Sequence, residues 1–311
     1  MQLEPPTAPR IVLVPPAVNR HALGAAPAGF EFVVMPASID DALPARVTNA
    51  EVLVVDWLHR DTVTSLIPRL GELRLVQSIN AGVDWLVPLT THTVLAGARG
   101  VHDVSVAEWV SAAVLTMTRD LPRYWDLQRE QRLEHHQQQE LAGAQVLIVG
   151  YGSIGAAVEA RLTVFGTRFT RIALRDGFHN LDDLSELVGA ADVVVNLLPS
   201  TPSTRGCFDD SVFARFRDGA LFVNAGRGDA VHTAALLDHL TRGRIRAALD
   251  VTDPEPLPAT HPLWTAPNVL ITPHVAGDTD ALLQRAYRFV AEQLDRYAAG
   301  RPLHNVVAGE Y

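Results

Sequence analysis

Arg227, Glu255 and His274 are residues of this 311-residue chain whose types fit together as chemistry. Arg227 stands in Asn-Ala-Gly-Arg-Gly, after the apolar run Leu221–Asn224. Glu255 stands in Asp-Val-Thr-Asp-Pro-Glu-Pro, after Ala247–Val251, and His274 in Thr-Pro-His-Val-Ala-Gly, after Val269–Thr272. A guanidinium offers a planar carboxylate two parallel hydrogen bonds. An imidazole exchanges protons near neutral pH, and a neighbouring carboxylate favours its charged form. Taken singly, these are a surface arginine, a turn glutamate and a structural histidine. Three complementary types behind three successive apolar runs read instead as one site, if the runs are parallel strands ending at one edge.

The stretch Gln145–Gly155 supplies that frame. Val146–Val149 reads as a buried parallel strand and Ser153–Phe165 as the helix after it. Between them Gly150, Gly152 and Gly155 fall in the spacing G-x-G-x-x-G. The first glycine permits the tight turn, the second lets backbone approach a pyrophosphate, and the third lets helix and strand pack closely. The helix N-terminus then presents unpaired N–H groups to the phosphates. Strand before and helix after are the context that this motif requires. An esterase elbow around Ser153 is excluded, because Tyr151 stands where its first glycine must be. Further runs at Arg171–Leu174 and Val193–Leu197 bring the strand count of this part to six, as in a doubly wound dinucleotide-binding domain.

Upstream, Ile11–Val14, Phe32–Met35, Val52–Val55, Leu73–Gln77 and Thr93–Leu95 alternate with helical stretches, which predicts a second parallel sheet. Leu66–Leu75, broken by Pro68 and Gly71, reads as a helix turning into the fourth strand. Ser78–Asp84 then forms a strand-end loop, the place where such sheets bind ligands. Val106 to about Glu134 reads as one long helix interrupted by Pro122. Its first half is apolar nearly all round, so one face packs on its own sheet and the other invites a second subunit. His135 and His136 read as solvated residues on a polar helix, not as metal ligands, and no metal site is expected. The last helix is expected over Thr279–Ala299.

Composition narrows the classes. A formal charge of −9 argues against nucleic-acid and anionic-membrane partners. No apolar run approaches the roughly 18 residues of a membrane span. The first residues lack a basic and apolar leader pattern, so no signal peptide is expected and a cytoplasmic protein fits. The one cysteine, Cys207, reads as a small buried residue.

Together, Asn80-Ala-Gly-Val-Asp84, Val106-Ala-Glu108, the Gly150–Gly155 fingerprint, Asn224-Ala-Gly-Arg-Gly228, Ala248-Leu-Asp-Val251, Glu255-Pro256 and Thr272-Pro-His274 resemble the D-isomer-specific 2-hydroxyacid dehydrogenase family. Its members include phosphoglycerate dehydrogenases and glyoxylate/hydroxypyruvate reductases. The resemblance runs from about Val52 to the C-terminus. It implies a Rossmann dinucleotide-binding domain, residues 100–280, inserted into a smaller flavodoxin-like α/β substrate domain, residues 1–99 and 281–311, and a homodimer. It implies an oxidoreductase acting on a small 2-oxo or D-2-hydroxy acid. Arg227 would hold the substrate carboxylate and carbonyl oxygen, His274 would be the acid/base, and Glu255 would hydrogen-bond it. Backbone N–H groups at Ala81, Gly82 and Val83 would add to the carboxylate contacts. The cofactor would lie along Gly150, Gly152, Ser153, Ile154, Gly155, Leu198, Pro199 and Ala225, with Asp250 at the nicotinamide amide. Reduction puts negative charge on the C2 oxygen, where a loaded imidazolium is well suited to donate.

The chain stops soon after the last helix, so the regulatory extension of long phosphoglycerate dehydrogenases is expected to be absent. Formate dehydrogenases share the fold, but their site lacks the glutamate found at 255. Trp57, His59 and Arg60 follow the third strand, where the substrate's distal group would be met; Arg60 fits a phosphate and Trp57 an apolar wall. A dinucleotide-sensing protein on the same fold is the rival reading. An NAD-specific site needs an acid about 20 residues past the fingerprint. Here Ala173 takes that position and Arg175 follows, so NADP is the expected cofactor and NAD the alternative. A three-residue slip would make Asp176 the acid.

Overall fold

The valine- and isoleucine-rich runs form strands, and every pairing between these strands is parallel. A computed structural model describes residues 8–39, 43–175 and 177–307. Strands β1 (Arg10–Val14), β2 (Phe30–Val34), β3 (Ala50–Val55), β4 (Leu75–Ser78) and β5 (Val94–Ala96) make one sheet in the order β2-β1-β3-β4-β5. This is the flavodoxin-like order. Strands β6 (Gln145–Val149), β7 (Arg168–Ile172), β8 (Val193–Asn196), β9 (Leu221–Asn224), β10 (Arg246–Leu249) and β11 (Val269–Ile271) make the other, in the order β11-β10-β9-β8-β6-β7.

Strands that are apolar without alternation must be covered on both faces. In the second sheet Leu147, Val149, Val194, Phe222 and Leu249 point into one core with Phe208 and Phe213. Their neighbours Val146, Ile148, Val195 and Val223 point into the other, with Val106, Val110 and Val158. The first sheet divides likewise: Leu13, Leu53 and Val76 face Val63 and Leu66, whereas Val12, Val54 and Leu75 face Tyr287 and Val290. The two ends of the chain, up to His102 and from Asp280 onward, form one compact unit, and Asp103–Thr279 forms the other. The divisions expected at 99/100 and 280/281 fall instead at 102/103 and 279/280. The first lies where a helix begins at Asp103.

Several expected boundaries are corrected. The long helix is two, Asp103–Thr118 and Leu121–Arg129. The break is at Asp120, whose φ of 51° is left-handed, and not at Pro122. Pro122 sits in the first turn of the second helix, where a missing N–H costs nothing. Residues 131–140 have no regular structure. His136 is therefore not a helical surface residue; it stacks on Tyr124 and bonds Asp120 Oδ2 at 2.8 Å. The first helix buries Val106, Val110, Ala113 and Val114 but leaves Val104 and Ala112 exposed, so it is not buried on every face. Leu66 ends a helix that starts at Arg60. The strand after the fingerprint spans Arg168–Ile172, which leaves Ala173–Arg175 in the loop beyond it. The last helix is Leu282–Ala298. No helix among the described residues is long and apolar enough to cross a membrane.

Candidate active site

One row of strand ends organises the second unit. Val149 pairs with Asn196, Asn196 with Asn224, Asn224 with Leu249 and Leu249 with Ile271. The residues that leave this row are Gly150, Leu197-Leu198, Ala225-Gly226-Arg227, Asp250 and Thr272-Pro273-His274. The register thus brings Arg227 and His274, with Gly150, Leu198, Ala225 and Asp250 among the expected cofactor residues, to one carboxyl edge.

His274 and Glu255 meet directly. His274 Nδ1 lies 2.7 Å from Glu255 Oε1. The backbone of His274 has φ 57°, a left-handed conformation that a residue with a Cβ adopts at a cost and that clusters at functional sites. It is held there from below. His274 N–H donates to the carbonyl of Asp250 at 2.8 Å. The Asp250 carboxylate, 2% exposed, accepts from Thr272 Oγ1 at 2.6 Å and from the N–H groups of Val275 and Ala276 at 2.9 and 2.8 Å. In this structure Asp250 therefore grips the His274 loop. Arg227 opens a short 3-10 turn, is half-buried, and donates from Nη1 to the Gly226 carbonyl at 2.9 Å.

The fingerprint loop has the form a dinucleotide needs. Gly150 has φ 94°, and a Cβ there would lie 2.7 Å from the Leu197 carbonyl carbon, so the turn is pressed against the loop after β8. Gly152 caps the helix Ser153–Thr163 without any side-chain bond, and a Cβ on it would meet nothing within 4 Å. The backbone at Gly152 can thus be approached closely at the N-terminus of that helix, which fits a pyrophosphate. Ser153 Oγ donates to Asp103 Oδ1 at 3.0 Å. Gly155 packs on Tyr151 and Ile148 as a close helix–strand contact requires.

Two arginines near the end of β7 part company. Arg171 also lies over the Tyr151 ring, at 5.5 Å, but its guanidinium pairs with Glu159 on the helix that follows the fingerprint, holding that carboxyl below its ordinary range. Arg175 instead reaches over the fingerprint: Nη2 donates to the carbonyl of Tyr151 at 3.2 Å, and the guanidinium lies over the rings of Phe178 and Tyr151. Asp176 lies outside the described residues.

In the other unit, Ala81 and Gly82 are half-buried in the loop after β4, and the Val83 side chain is in the core. Past β3, His59 Nδ1 bonds Asp56 Oδ1 at 2.7 Å, and Arg60 lies 4.9 and 5.5 Å over Trp57 and Trp85. Burial pushes the Cys207 thiol up to about 12, consistent with an inert packing residue. The residues that sequence reasoning passed over are Asn196, Asn224 as a side chain, and Thr272. Val-Val-Val-Asn and Leu-Phe-Val-Asn both end an apolar run in an amide, but only the strand register shows what those amides bond.

Residues 111–276 match the family described as "D-isomer specific 2-hydroxyacid dehydrogenase, NAD binding domain". The chain is 32% identical over 257 residues to glyoxylate/hydroxypyruvate reductase A of Serratia proteamaculans, covering 76% of this chain and 80% of that protein. It is 30% identical over 287 residues to D-3-phosphoglycerate dehydrogenase of Methanocaldococcus jannaschii, covering 86% of this chain. The match spans about half, 53%, of that relative's length. Among solved structures, a D-isomer specific 2-hydroxyacid dehydrogenase from Xanthobacter autotrophicus Py2, in complex with NADPH and MES, superposes with TM-score 0.83 at 30% identity. That match covers 97% of this chain and 98% of the other. The fold, with its dinucleotide cradle at a topological switch point, and these matches define an NAD(P)-dependent oxidoreductase class. This chain belongs to the D-isomer-specific 2-hydroxyacid dehydrogenase family.

Proposed function

We propose that the chain reduces a small 2-oxo acid to its D-2-hydroxy acid, or runs the reverse, with NADP(H) as the preferred cofactor. The observation that carries this reading is the 2.7 Å bond between His274 and Glu255 on a backbone held in the left-handed region. In this reading Arg227 binds the substrate carboxylate through its fork and polarises the C2 carbonyl. A bound reduced nicotinamide supplies hydride to C2. With Nδ1 on Glu255, His274 delivers its proton to the developing C2 oxyanion through Nε2, and Glu255 holds the ring in the orientation that this donation needs. The backbone of Gly150, Gly152, Ser153, Ile154 and Gly155 holds the pyrophosphate, and Leu198, Pro199 and Ala225 line the cofactor's reactive half. The role proposed for the first unit is substrate contact through N–H groups at Ala81, Gly82 and Val83.

The cofactor preference rests on Arg175, which lies over the fingerprint with no acid at Ala173, and is supported by the NADPH in the Xanthobacter neighbour. A homodimer is supported by the apolar helix Asp103–Thr118 and by Leu121 and Trp125, the latter 63% exposed; light scattering giving only the chain mass contradicts it. The test of function is a panel of 2-oxo acids, phosphorylated and not, with each reduced cofactor. Cofactor oxidation that depends on a 2-oxo acid is expected. Tight cofactor binding without turnover on any of them would instead mark a dinucleotide-sensing protein.

A further inference from the structure

The last residues of β8 and β9, Asn196 and Asn224, face each other in register, and Asp250 immediately follows β10. All three side chains are buried, at 0%, 1% and 2% exposure, at the ends of strands whose other residues are apolar except Arg246. A buried amide or carboxylate costs free energy unless its polar atoms are bonded. Here the bonds run mainly to loop backbone. Asn196 Nδ2 donates to Asn224 Oδ1 at 2.9 Å, and Leu198 N–H donates to Asn196 Oδ1 at 3.1 Å. Gly226 N–H donates to Asn224 Oδ1 at 3.2 Å, and Asn224 Nδ2 donates to the carbonyl of Arg227 at 3.1 Å. Asp250 holds Thr272, Val275 and Ala276, on both sides of His274.

We propose that Asn196, Asn224 and Asp250 form a positioning layer that fixes Arg227 and His274 against the loop at Leu198. This rests on the roles given above to Arg227 and His274. Apolar residues would fill the same volume and serve the sheet as well. What they could not do is set where each loop leaves it. The loops are also wedged: a Cβ on Gly226 would lie 2.7 Å from the Leu198 carbonyl oxygen, and one on Gly228 would overlap the Thr252 carbonyl. A change in the anchor therefore moves the loop as a body and carries the guanidinium with it. Asn224 acts on Arg227, Asp250 acts on His274, and Asn196 ties the first of these to the cofactor side.

Double-mutant cycles in the full chain test this. Asn224→Ala is expected to lower kcat/KM for the best 2-oxo acid by about 10–100-fold, the scale of an ångström-sized misplacement. The dissociation constant for NADPH should stay within about threefold. In an Arg227→Ala background the same substitution should cost less than about threefold, because the residue it acts through is already gone. Asp250→Ala should also lower kcat/KM, and that loss should shrink in the same way in a His274→Ala background. A merely structural role predicts the same factor in both backgrounds, and that additivity would overturn the proposal, as would a wild-type kcat/KM in Asn224→Ala. If Asn224→Ala does not fold, Asn224→Asp takes its place in the cycle against Arg227, since it keeps the oxygen that accepts from Asn196 and Gly226 but loses the Nδ2 donation to the Arg227 carbonyl. A wild type inert toward every 2-oxo acid is a separate result, and overturns the functional reading itself.

Discussion

The loops that leave β9, β10 and β11 and the loop that leaves β7 start from one sheet edge but are held by opposite means. Around Arg227 and His274 the backbone is tied by buried polar atoms: Asn224 to Gly226 and Arg227, Asp250 to Val275 and Ala276. Past β7, the Ala173 N–H bonds the His179 carbonyl, but Leu174 is 87% exposed and Arg175 is anchored by one exposed bond and two rings. The end proposed to carry the reaction is thus built into the core, where geometry is over-determined. The end proposed to read the cofactor's ribose is built on the surface, where one side chain can change without disturbing packing. Under the proposed function, reaction type and cofactor preference would therefore be separable.

That separation can be broken or sharpened by substitution. The largest effect is expected at His274: alanine there should lower kcat by on the order of 10²–10⁴ and leave NADPH affinity nearly unchanged. Near-normal turnover would remove histidine from the mechanism. At Arg175 the pattern should invert. Arg175→Ala is expected to lower kcat/KM for NADPH by about 10–100-fold, the worth of one or two charge-assisted bonds, while the value for NADH changes by less than about twofold. Equal losses with both cofactors would show that Arg175 does not read a phosphate.

Glu255→Gln keeps a hydrogen-bond acceptor beside His274 but removes the charge. Losing that charged partner should lower kcat for reduction by about 10-fold, with KM for the 2-oxo acid changing by less than about twofold. An unchanged kcat would mean that Glu255 only orients the ring. The smallest effect belongs to Arg171 and Glu159. Their pairing depresses the Glu159 carboxyl, so its stabilising share is present above the ordinary carboxylate range and is lost as pH falls through the lowered value. Glu159→Gln should lower Tm by at most about 3 °C at neutral pH, with the gap closing in acid, and should leave cofactor preference alone. A changed NADPH/NADH ratio in that variant would blur the division between the two arginines.

Much of the architecture was legible because its signals are local. Runs such as Val146–Val149 and Leu221–Asn224 need cover on both faces, and G-x-G-x-x-G needs a strand before it and a helix after. The types and order of Arg227, Glu255 and His274 also pointed to the chemistry of one site. What could not be read was long-range or conformational. Asp120 breaks a helix by adopting a left-handed backbone, which its sequence neighbours do not announce, whereas Pro122, the visible breaker, is harmless in a first turn. His136 looked solvated because its partners Asp120 and Tyr124 meet it only when the chain turns back. Asn196 and Asn224 looked like ordinary strand ends, since their bonds depend on strand register. Arg171 and Arg175 are four residues apart in one sequence and both lie over the Tyr151 ring, and only packing shows that Arg171 pairs with Glu159 while Arg175 bonds the Tyr151 carbonyl.

The central claim is that this chain moves a hydride between a nicotinamide and C2 of a 2-oxo acid. It is tested most directly by turnover of glyoxylate with NADPH deuterated at both C4 positions, followed by mass spectrometry of the acid produced. The account predicts glycolate carrying one deuterium on C2 for each cofactor oxidised, at a rate that collapses in His274→Ala. Cofactor oxidised without deuterium in the acid, or with a rate indifferent to His274, would contradict it.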